Sequence, residues 1–171
     1  MAQNLEFHSP FGEHVAQGKH FAVDYEQIKE NIKSEDPKTR VIAYIEMLGE
    51  ETLKTEVRQL AECALQTIKQ CLNIERNMCF YKNIVRGHEH DLVEIRMAKL
   101  FTIEAEDQEA QEFWQDREGR IKFSMDGNLE FAYQEQIQLD EWIDILMDYE
   151  VKLKKLATPM IMALKEEEAA R

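Results

Sequence analysis

From Glu50 to Leu72 the apolar residues Leu53, Val57, Leu60, Ala61, Ala64, Leu65, Ile68 and Leu72 advance in steps of three and four, the spacing that gathers side chains on one face of a helix. A segment of this kind is stable only when that face is covered by packing. Residues that break helices are scarce, six Gly and three Pro in 171, so turns are few and long elements are favoured. The chain is long enough to bury a core without covalent staples.

The coarse order follows from start and stop signals. Residues 1–22 mix His, aromatic residues, Ser9, Pro10, Gly12 and Gly18 without a sustained period, and read as an irregular arm. Residues 23–171 read as one helical domain. Asp24 with Gln27 three places on makes a capping box for a short helix to about Lys33. Asp36-Pro37 opens a second helix carrying Val41, Ile42, Tyr44, Ile45 and Leu48, which Gly49 stops. After the 50–72 helix a phase break near Asn73 starts another run, Ile74, Met78, Tyr81 and Val85, closed by Arg86 and Gly87.

Residues 89–115 read as helix, with extra strands in 91–106 as the alternative because Val93, Ile95, Met97, Phe101 and Ile103 also alternate. Alternation is cleaner in Ile121, Phe123 and Met125, then Asp126-Gly127-Asn128, then Leu129, Phe131 and Tyr133, which predicts a β-hairpin over residues 120–134. Asp140 caps a last helix that Thr158-Pro159 kinks or restarts. The expected fold is therefore mainly α, a helical bundle of about five to six helices with one β-hairpin; α+β with extra strands in 91–106 is the alternative.

The net charge is −13, and it is unevenly placed: between Glu104 and Glu150 there are fifteen acids against three bases. Without a Lys/Arg cluster the chain is expected to bind neither nucleic acid directly nor an anionic membrane. Glu104, Glu106, Asp107, Glu109, Glu112, Asp116, Asp126 and Glu130, with Phe11 and Phe21 of the arm, are the candidate partner-binding residues. They suit a basic protein partner, which such a face can steer, or a second copy.

Chemistry-bearing patterns are weak. In His88-Glu89-His90-Asp91 only His90 and Glu94 share a helix face as a possible ligand pair. His8, His14 and His20 recur every six residues in the arm. Asp126, Asn128 and Glu130 imitate a calcium loop, but Phe131 and Ile137 stand where Gly and an acid belong. Cys63, Cys71 and Cys79 step by eight and match no common metal motif.

No cofactor and no metal ligand set is expected, nor a catalytic residue. Phe80-Tyr81 and Phe113-Trp114 read as core or interface anchors. The N-terminus lacks the pattern of a secretory signal, so a cytoplasmic location is expected. These readings together point to a non-enzymatic protein–protein interaction or assembly module using the acidic face of 104–150 and the arm. The alternatives are a nucleic-acid-mimicking inhibitor of a basic groove and a metal-dependent helical enzyme built on His90 and Glu94.

Overall fold

A computed structural model describes residues 24–170, in which the elements are helices α1 (Tyr25–Ile32), α2 (Pro37–Leu48), α3 (Thr55–Glu104) and α4 (Gln108–Ala169), with a 3-10 turn at Gly49–Leu53. The N-terminal 1–22 segment, with Phe11, Phe21 and its three His, lies outside the described residues.

Local chemistry sets the short elements. Asp24 Oδ1 accepts the Gln27 amide at 3.1 Å. Asp36 Oδ1 accepts the Lys38 amide at 3.2 Å and its other oxygen accepts from the Thr39 hydroxyl at 2.9 Å, while Pro37 occupies a first-turn position where no amide proton is needed. Gly49 ends α2 at φ 46°, donating its N–H back to Glu46 and Ile45. A side chain there meets no neighbour within 4 Å, so the penalty for Gly49→Ala is purely that of the backbone. We expect a loss of about 1 kcal/mol in chemical denaturation.

α3 and α4, 50 and 62 residues long, run antiparallel as a hairpin whose legs reach about 75 and 90 Å at 1.5 Å per residue. The register is set by contacts in which Asn77 bonds Glu135, Tyr81 stacks on Phe131, His88 meets Ser124 and Lys99 pairs with Glu118. The seam on α3 is Ala64, Thr67, Cys71, Ile74, Met78, Tyr81, Val85, His88, Leu92, Ile95, Lys99 and Thr102, all buried or half-buried. Ile121, Met125, Asn128, Ala132, Glu135, Leu139, Trp142, Leu146, Tyr149 and Leu153 answer from α4. Alternating steps of three and four are the heptad of a coiled coil.

At the open ends of the two legs α2 lies chiefly along α4, and α1 packs on α2. There Ile28, Val41, Tyr44, Ile45, Leu48, Ala61, Ala64, Leu146, Leu153 and Ala157 form the main core. Arg40 clamps this base: Nε and Nη2 donate to the two oxygens of Glu150 at 2.7 and 2.8 Å, and Nη1 donates to the Ser34 and Glu35 carbonyls at 2.9 and 2.8 Å. Lys38 donates to Glu75 at 2.6 Å and ties α2 to α3. Beyond Met78 the molecule is only two helices thick, an arm whose buried apolar residues are Val85, Leu92, Ile95 and Ala132.

Several sequence expectations are corrected. Mainly helical architecture is found, but in four helices, and no strand occurs among the described residues. The hairpin expected at 120–134 is continuous α4. Its alternating residues do not share a buried face: Ile121 and Met125 reach the seam, while Phe123, Leu129, Phe131 and Tyr133 are exposed. Asp126-Gly127-Asn128 lies mid-helix because Asn128 is a seam residue whose amide group donates to the Ser124 carbonyl at 2.7 Å. Packing against α3 outweighs the roughly 1 kcal/mol that a helical Gly costs.

Residues 91–104 are helix, so the strands of the α+β alternative are absent there. The phase break at Asn73 is not a break in the helix. Leu65, Ile68 and Leu72 belong to the basal core, whereas Cys71, Ile74 and Met78 continue along the seam; the stripe shifts where α3 leaves one neighbour and keeps the other. Arg86, Gly87 and Asp140 are likewise interior, and α4 runs through Pro159.

Candidate interaction surface

The tip between the legs is a tight turn. Glu106 takes φ 55°, and the Ala105, Glu106 and Asp107 amides bond back to the Phe101, Ile103 and Thr102 carbonyls, the αL closure that follows a helix. Asp107 Oδ1 then accepts the Ala110 amide at 3.0 Å and caps α4.

Near the tip the seam turns polar. Lys99 and Glu118 occupy facing core positions and pair at 2.8 Å, and Lys122 reaches the other Glu118 oxygen at 2.6 Å. The Lys122 and Lys99 hydrogen bonds together hold the Glu118 carboxyl at about 2, against an ordinary 4.5. Since the folded value is the lower one, this contribution to stability is whole above pH 4.5 and fades as pH falls toward 2. Glu118→Gln is accordingly expected to flatten the acid side of the thermal-stability profile, read as Tm at stepped pH, with its largest effect above pH 4.5.

Of the candidate acids, Glu104, Glu106 and Asp107 sit at the tip and are exposed. Glu109, Glu112, Asp116, Asp126 and Glu130 are also exposed, and their spacing puts them on the side of α4 turned away from α3. They form a single row, interrupted by Phe123, Tyr133 and Ile137. Some of the surplus is neutralised locally, Asp116 by Arg120 at 2.8 Å and Glu150 by Arg40. Five of the eight candidate acids thus line the outer side of α4 and three sit at the tip, whereas Glu118, Glu135 and Glu150 of the same acidic block are turned toward other helices.

The hairpin has two broad faces. On one, α2 covers the base, and the Lys38–Glu75, Arg40–Glu150 and Lys122–Glu118 pairs lie there. Among the described residues nothing covers the opposite face. Phe80, Tyr81 and Phe131 form an aromatic run on it, with ring centroids 5.7 and 5.5 Å apart. Steps of seven from Phe80 reach Gly87, Glu94 and Phe101 on α3, and steps of seven from Phe113 reach Arg120, Gly127 and Gln134 on α4; the seam register sets these ridges level. Phe80, Phe101, Phe113 and Phe131 are 61, 64, 57 and 59% exposed. Nearer the base the same face is polar, with Gln70, Asn73, Gln138 and Glu141.

The sequence marks Phe80 and Phe113 as core or interface anchors, and both are exposed. The seven-residue step links Phe80 to Glu94 and Phe101, and Phe113 to Arg120, whereas Phe131 joins this face only through its stacking on Tyr81, which no local spacing reveals. His90 and Glu94 are neighbours at 3.4 Å and His88 Nδ1 is 3.6 Å from Asp91. Among the described residues no group of three or more His, Cys, Asp or Glu is placed to hold a metal ion. Cys71 is buried in the seam, and Cys63 and Cys79 are exposed free thiols. No described helix is long and apolar enough to cross a membrane. No protein-family model matches the chain, and no curated protein or solved structure is significantly similar to it.

Proposed function

We propose that the protein is a non-enzymatic interaction or assembly module, a helical base that carries a long coiled-coil arm for engaging other protein surfaces. One observation carries this reading: the base is packed around its own core, yet four Phe side chains stay more than half exposed on one face of the arm. Scattered apolar residues are ordinary on a protein surface, whereas aromatic residues repeated along one face mark a contact surface. The acidic outer ridge of α4 adds a preference for basic groups at the margin of that contact, weakened by salt.

The test is affinity capture from cells that express the protein, with the full chain and a Phe80→Ser/Phe101→Ser/Phe113→Ser/Phe131→Ser variant as parallel baits. Proteins retained by the first and lost by the second, with helix content unchanged in circular dichroism, are the expected result. Identical retention by both baits would remove the arm from the function.

A further inference from the structure

We infer that the open face of the arm is a homodimer interface, in which two copies lie side by side with their tips at the same end and complete a four-helix bundle. This rests on the arm's being the interaction surface and names its occupant as a second copy of this chain.

The open face is complementary to itself. A two-fold axis parallel to the hairpin, in the plane of the open face, lays α3 of each copy over α4 of the other at an unchanged level. Every neighbouring pair of helices is then antiparallel, as in an up-and-down bundle. Residues level with one another across one hairpin become the residues that meet between copies. Phe101 is level with Phe113 near the tip, and Phe80 with Phe131 toward the base, so each copy supplies aromatic residues where its partner supplies them too.

Between these two aromatic levels stand Glu94 and Arg120, whose side chains are 70 and 79% exposed. Within the chain Glu94 lies 3.4 Å from His90 and Arg120 2.8 Å from Asp116, surface contacts of adjacent turns that a pair across the axis would share or replace. The same axis sets each Glu94 against the partner's Arg120, twice per dimer. Gly87 and Gly127 occupy the next level, where an added Cβ would meet nothing within 4 Å in the single chain. Glycine weakens a helix interior, and a place where a second helix approaches closely is one where it is of use.

The size is adequate. From Phe80 to Phe101 the face runs about 30 Å and is two helix diameters wide, each about 10 Å. That footprint is of the order of the ~800 Å² per partner found in stable interfaces. The capped face fails the same test. Its exposed Val93 and Leu100 on α3 stand nearer the tip than Leu129 and Tyr133 on α4, so the axis would set apolar residues against polar ones, and α2 occupies its base. The axis also sends the two acidic α4 ridges to diagonally opposite corners, which limits repulsion between chains of net charge −13.

Sedimentation velocity of the full chain tests this, with Glu94→Arg, Arg120→Glu and the double variant alongside. Expected are a species of twice the chain mass at about 100 µM, association weakened at least ~tenfold by either single reversal, and recovery of the dimer in the double variant, where the pair is restored with its signs exchanged. Circular dichroism should show the same helix content throughout; if a reversal lowers it, Phe101→Ser and Phe113→Ser, both at exposed positions, supply the same readout. A monomeric wild-type chain at that concentration overturns the inference, as do single variants that stay dimeric or a folded double variant that stays monomeric. If those results appear while the Phe-dependent capture persists, the interaction function stands and only the identity of its partner is wrong.

Discussion

Truncating Leu153 to Ala is expected to cost about 3 kcal/mol, within the roughly 2–5 kcal/mol typical of buried Leu-to-Ala changes. Leu153 is 0% exposed and sits in the basal core with Val41, Tyr44, Ile45 and Leu146. It is the point where α4 meets both the hairpin seam and the α1–α2 cap, so the void it leaves cannot collapse without moving one of them. For a chain of this length the loss should lower Tm by about 10 °C. Leu129→Ala, at an exposed site on the arm, is the control and should stay within about 0.5 kcal/mol of wild type. A Leu153→Ala loss below about 1 kcal/mol would mean that the base is not a packed core.

The second large effect belongs to Arg40. Its side chain and that of Glu150 are 21 and 13% exposed, and the guanidinium meets both carboxylate oxygens. Arg40→Ala strands the Glu150 charge in a half-buried site and leaves the Ser34 and Glu35 carbonyls without this donor. Breaking a fully buried pair costs about 3–5 kcal/mol; the partial exposure here argues for about 2–3 kcal/mol.

Arg40→Lys should recover less than half of that, because an ammonium cannot span two oxygens and two carbonyls at once. A double-mutant cycle with Glu150→Ala checks the origin: the joint loss should fall well short of the sum of the single losses. Additive losses would show that Arg40 acts by packing alone.

What local chemistry specifies was readable in advance. Asp24, Asp36-Pro37 and Gly49 punctuate α1 and α2 as their side chains and φ preferences require, and the amphipathic stripe from Val57 to Leu72, though not Leu53, marks a real buried face of α3. These features were legible because each depends on residues within a turn of one another.

The hairpin was not legible in that way, since its seam carries Thr67, His88, Lys99, Glu118, Asn128 and Glu135 at positions where a coiled coil ordinarily puts apolar residues. Each of them, read alone, interrupts the heptad. Lys99 with Glu118, His88 with Ser124 and Glu135 with Asn77 pair across the hairpin, while Thr67 and Asn128 donate to the Cys63 and Ser124 carbonyls of their own helices, so the heptad continues with its polar groups satisfied. The β-like alternation at 121–133 failed for the same reason. Periodicity along one strand of sequence reports which residues could share a face, while the helix that selects Met125, Asn128 and Ala132 lies some forty residues away in the chain.

By itself, then, the order of residues determined helical character, the punctuation of the first two helices, and the amount and sign of charge. Tertiary structure alone decided that two of the helices would be long enough to make an arm, which side of α4 carries the carboxylates, and which Phe residues remain uncovered. The physical reason is that helix propensity and capping act over a few residues, whereas the choice of buried face is made by a partner surface. On the open face of this arm no such partner surface is present among the described residues.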